Sequence, residues 1–229
     1  MKKNYKQIIL SLLALIAASI PPNLFVAAQA GYALLSELAV SYLIPSIIFL
    51  AGVITVGFLI DAKDTSRQII NGITGGLVAT IGLEIVRETG FHLGGMPGDL
   101  PKLMGVLLLN QFALGPDTLS NIAGWSYHFW NGASFGIIYS IVVGKGKVWY
   151  GLLYGILIGI GFMMSPVVVA LGVGHFGVDF GIGFPVTVTL AHIVFGLLLG
   201  WFVYRKNTES SGIISLIKNL LPGNIDNVK

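Results

Sequence analysis

The sequence predicts an all-α integral membrane protein, a bundle of six transmembrane helices, and three observations carry that prediction. Of 229 residues, 55% are hydrophobic and 10% charged, whereas about a quarter of a soluble domain is charged. Apolar runs of roughly twenty residues recur along the chain, each long enough to cross a hydrocarbon core of about 30 Å as a helix. Lysine and arginine gather at every second boundary between the runs, as they do in cytoplasmic loops. The formal net charge of +3 is spread over helix ends instead of one patch, so the expected partner is the lipid bilayer and not nucleic acid. With no cysteine, disulfides, thiolate metal sites and thiol catalysis are excluded. Residues 1–229 read as a single polytopic membrane domain.

Met1 to Lys6 followed by the apolar run Ile8 to Ile20 has the pattern of a secretory signal, with Ala28-Gln29-Ala30 as a cleavage site. The same segment, continued past Pro21-Pro22, makes a first span over about 8 to 29, the preferred reading of residues 1–30. A second span runs from about Leu38 to Ile60 and ends in the charged stretch Asp61 to Arg67. The third, about Ile69 to Glu88, carries Gly72, Gly76 and Thr80 at a four-residue spacing that lets helices approach closely. Gly90 to Pro101 holds too many Gly and Pro residues for a regular helix. Leu103 to Leu114 is apolar but short, an interfacial or re-entrant helix. Gly115 to Thr118 supplies the turn and cap of a fourth span ending near Gly144. The fifth covers about Trp149 to Leu171 and contains Gly151, Gly155 and Gly159; the sixth covers about Pro185 to Tyr204. A cytoplasmic tail, 206–229, has an apolar patch from Ile213 to Ile217 suited to the membrane surface.

Spans 3-4 and 5-6 rhyme. Each pair has a small-residue helix, a Gly-rich loop with His and Asp, and a helix reading His-x3-Gly-x3-Gly: His128, Gly132, Gly136 and His192, Gly196, Gly200. A parallel two-helix internal repeat is one explanation of this similarity, and chance in a chain with 31 glycines is the other. The positive residues put both termini in the cytoplasm if the first span is retained, as in a cytoplasmic (inner) membrane protein. Under that topology His92, His128, His175 and His192 all gather toward the outer face, with Glu84, Asp99 and Asp179 at the same level.

An outward-facing His/carboxylate pocket admits three functions. In the first, His128 and His192 bind a transition metal or the two axial positions of a haem, with Gly132 and Gly196 making room for the macrocycle and His92 or His175 as further metal ligands. Against it, the same glycines are what ordinary helix packing requires, and no local metal or haem motif is present. In the second, a small proton-coupled transporter, Glu84, Arg87, Asp99 and Asp179 are the proton or substrate groups; a plain ion pair of Glu84 with Arg87 is the competing description. In the third, an accessory or scaffold subunit, the Gly-rich faces pack against a membrane-protein partner or a second copy. Catalysis is not expected, because no nucleophile elbow or base-nucleophile pattern accompanies Ser134 or Ser165.

Overall fold

Apolar patterning of this length resolves into helices throughout. A computed structural model of the protein describes residues 2–207 and 212–218; it is 80% helix, with no strands among the described residues. Helix α1, Lys2–Gln29, runs unbroken through Pro21 and Pro22 and packs on α3 and α6 through Ala14, Ala17 and Ala18. Proline removes backbone donors, here those that would reach the Ala17 and Ala18 carbonyls, and α6 anchors the same stretch from outside: the Tyr127 hydroxyl donates to the Pro21 carbonyl over 2.7 Å.

Helix α2, Leu35–Leu38, passes through a π turn at Ala39–Leu43 into α3, Ile44–Leu59. The wide turn sits directly before Pro45, whose ring and missing N–H disfavour tight helical hydrogen bonding there. Helix α4, Lys63–His92, extends three residues into the segment predicted to be irregular. Gly90 is helical because its missing side chain makes room for Thr187 of α9, a reason that local propensity does not contain.

Helix α5, Leu100–Leu108, begins before the expected Leu103 and stops short of the expected Leu114, with Pro101 in its first turn and, two residues past its end, Asn110 at a φ of +54° turning the chain away. It lies on α6, Thr118–Val143, at a close crossing of Gly105 with Gly124. The expected fifth span from Trp149 to Leu171 is corrected: α7 stops at Met163, and α8, Pro166–Ala170, starts anew. Ser165 caps the new helix by accepting from the Val167 N–H, and Pro166 occupies its first position, which ends the preceding helix. Helix α9, Gly183–Lys206, completes the bundle. The apolar tail patch forms α10, Ile213–Lys218, and Ile213 is buried in one cluster with Leu10, Ala14 and Ile141. The rest of the predicted tail, 208–211 and 219–229, lies outside the described residues.

Asn4–Gln29, Leu35–Leu59, Lys63–His92 and Gly183–Lys206 are long and apolar enough to cross a membrane, and α7 is a shorter apolar helix. Helix α4 is central, packed on α6 on one side and on α9 on the other, with α7 against the far side of α9. The two outer contacts use one register. A side chain on Gly76 would strike the Gly132 carbonyl, and one on Gly136 the Gly72 carbonyl; one on Gly155 would strike the His192 carbonyl, and one on Gly196 the Gly151 carbonyl. Both pairs are antiparallel, and in both the His-x3-Gly-x3-Gly helix meets the small-residue helix backbone to backbone, the contact that drives association where lipid competes for apolar surface.

Candidate functional site

The polar centre grows from two turns of α4. Glu84 and Arg87, three residues apart, lie on one helix face, and their burial forces them to pair. Arg87 Nε lies 2.9 Å from each oxygen of Glu84, and Nη2 lies 2.7 Å from Oε2. Both residues are nearly closed off, 6% and 5% exposed. His128 of α6 reaches across the α4–α6 crossing and donates from Nε2 to Glu84 Oε1 over 2.8 Å. Its approach depends on Gly132, one turn further along α6, where a side chain would collide with Thr80 and hold the helices apart.

From Arg87 the network runs to the loop between α4 and α5. Nη2 also pairs with the Glu88 carboxylate and stands 3.5 Å from Asp99, which Lys102 approaches to 3.3 Å. The guanidinium lies over the Trp125 ring, 5.9 Å from its centre, and the same ring meets His128 edge-on. Arg87 Nη1 is buried and has no hydrogen-bond partner, a desolvated donor of the kind that folded proteins seldom leave idle. At the start of α6, Asp117 forms a capping box: the Ser120 backbone N–H, then its hydroxyl, hold the Asp117 carboxyl below the usual carboxylate range.

Beside the network lies a cavity of about 520 Å³, within the range of about 300–1,000 Å³ typical of small-molecule sites. Arg87, His128, Asn131 and His192 form its polar wall, and Leu83, Met104, Phe135, Phe162 and Phe195 are among its apolar walls. His192 donates from Nδ1 to the Val188 carbonyl over 2.8 Å and stacks on Phe162. That bond leaves Nε2 carrying the lone pair.

The predicted residues thus separate. His128 and His192 share one cavity, and Glu84, Arg87 and Asp99 share one network. His92, with a side chain 78% exposed, is near only Glu88 within this set, and His175 and Asp179 sit in the exposed loop before α9. Among the described residues no three His, Cys, Asp or Glu side chains converge on a common metal position. Gly132 packs against Thr80 of α4 and also lines the cavity, whereas Gly196 seats the backbone of α7. Sequence reasoning missed Asn131, Trp125 and Glu88. Asn131 had a signal, three residues after His128 on the same helix face; Trp125, three residues before it, had the same one.

No family model, curated protein or solved structure matches the chain.

Proposed function

We propose that this is a six-crossing protein of the cytoplasmic membrane, both termini inside, whose central cavity takes up a small molecule for binding or transport. The crossings are α1, α2 to α3, α4, α6, α7 with α8, and α9. The observation that carries the reading is the pairing of a drug-sized apolar cavity with a buried Arg87–Glu84–His128 network at its wall. An ionic group deep in a membrane bundle is costly and marks function more often than packing, and three apolar residues would fill the same space at lower cost. The Asp99–Lys102 end of the network approaches the outer loop, which supports an outward-facing polar end.

A second reading keeps the transition metal or haem. His128 and His192 come from different helices and line one cavity, and the Nδ1 bond of His192 leaves its Nε2 as the coordinating atom, a common arrangement for a ligand histidine.

One preparation tests both. Wild-type protein purified in mild detergent is extracted and its small molecules identified by mass spectrometry, beside Val188→Phe, which adds bulk to the cavity wall. The expected result is a molecule stoichiometric with wild type and depleted from the variant. An optical spectrum and elemental analysis of the same sample identify the metal or haem reading by bound iron, copper or zinc. Wild type with neither a molecule nor a metal overturns the site.

A further inference from the structure

The cavity has a definable mouth. Of the residues that line it, only Asn23, Gly161 and Pro166 are exposed at the protein surface. They belong to α1 and to the α7–α8 break, two elements that lie side by side there: α8 packs on α1, but α7 and α1 form no packed pair. The opening is therefore in the flank of the bundle. Beside Gly161, Leu157 and Ile160 of α7 and Met164 just past its end are exposed and apolar. Gly161 belongs to a helix turn with no neighbouring atom within 4 Å of where a side chain would begin. Exposed apolar side chains around a lateral opening face lipid and not water.

The polar wall restricts the occupant further. Of the charged network only Arg87 and His128 line the cavity, and Glu84, Glu88 and Asp99, with Lys102 beyond them, surround the guanidinium from outside the lining, so the cation at the wall already faces three carboxylates. A further carboxylate would enter a low-dielectric space beside an excess of negative charge, and a cation would have to lie against Arg87. Most other polar groups of the wall are engaged with nearby backbone carbonyls: Thr80 donates to that of Gly76, Asn23 to that of Ser19, and Ser165 to that of Phe162. What remains is the lone pair of His192, Nδ1 of His128, and two unpartnered atoms just beneath the wall, Arg87 Nη1 and the side-chain oxygen of Asn131, which an occupant reaches only by a small shift of those side chains.

Resting on the small-molecule reading above, we propose that the occupant is a neutral, bilayer-dissolved amphiphile, with a carbonyl-type oxygen that accepts from Arg87, entering sideways between α1 and α7. Its apolar body lies among Phe135, Phe162 and Phe195.

The test uses full-length protein in nanodiscs of zwitterionic phospholipid and three probes with a common ten-carbon chain, ending in a benzoquinone, a carboxylate or a quaternary ammonium. Binding is read as a rise in unfolding temperature by circular dichroism, and its rate as quenching of tryptophan fluorescence. The quinone alone raises the unfolding temperature. Gly161→Phe, which fills the mouth, folds as wild type does and slows quinone binding by at least about tenfold, a barrier increase of about 1.4 kcal/mol. Equal or stronger binding of the carboxylate or ammonium probe overturns the neutral class. An unchanged rate in Gly161→Phe overturns the lateral mouth. Failure of all three probes overturns the carbonyl-bearing class, whereas the extraction experiment decides separately whether the cavity is a site at all.

Discussion

Glu84 is the residue on which most depends, because it accepts from Arg87 and His128 at once while 6% exposed. Removing its charge leaves Arg87 buried with partners only at Glu88 and Asp99. Glu84→Gln is expected to cost about 3 kcal/mol of folding stability, the lower end of what breaking a buried pair costs, read as a fall in denaturation midpoint in detergent. Glu88→Gln, which alters a carboxylate that is itself over a third exposed, should cost below about 1 kcal/mol. Similar losses at both positions would contradict the burial argument. The Glu84–Arg87 pair was legible in the sequence, because a three-residue spacing on a helix allows few other outcomes. The His128–Glu84 bond was not: 44 residues separate the partners, and only the α4–α6 register brings them together. His128 and His192 carry one motif yet hold different partners, a carboxylate on the neighbouring helix and a carbonyl of its own helix. A shared spacing gave their position and not their chemistry.

At the scale of the element, glycine decides which helices touch. Gly155→Leu drives a side chain into the His192 carbonyl, an atom of backbone that cannot swing aside. It should abolish most folded yield on size exclusion, while Gly161→Leu, two turns along with open space around it, should leave yield near wild type. Equal tolerance would show that the α7–α9 contact is not the one described. The apolar stretches and the small-residue ridges were readable because membrane helices need both length and close approach. The break after α7 was harder to see, since Ser165-Pro166 interrupts a run that stays apolar on both sides. So was the persistence of α4 through Gly90, because what stabilises it is Thr187 on another helix. The burial of Ile213 was unreadable for a related reason: only the fold supplies the cluster that receives it.

For the whole molecule, the six-crossing arrangement proposed above makes a topology prediction. Reporters fused after Arg67, Lys147 or Lys206 should be cytoplasmic, and reporters inserted at Gly98 or Gly177 external; a cytoplasmic signal at Gly177 would put the loop before α9 on the wrong side. The membrane class was plain from composition, whereas the cavity, assembled from α1, α4, α5, α6, α7, α8 and α9, could not be read from any local pattern. The account rests on that cavity being reachable from the bilayer. The natural sequence contains no cysteine, so a single one can report on it. Ala191 is 2% exposed but lines the cavity, while Ala79 is fully buried between helices away from it. In membranes treated with a lipid-soluble maleimide, Ala191→Cys is expected to be labelled and Ala79→Cys to stay unlabelled, and a membrane-impermeant charged maleimide should label neither. Ala191→Cys as unreactive as Ala79→Cys toward the lipid-soluble reagent would contradict the central claim.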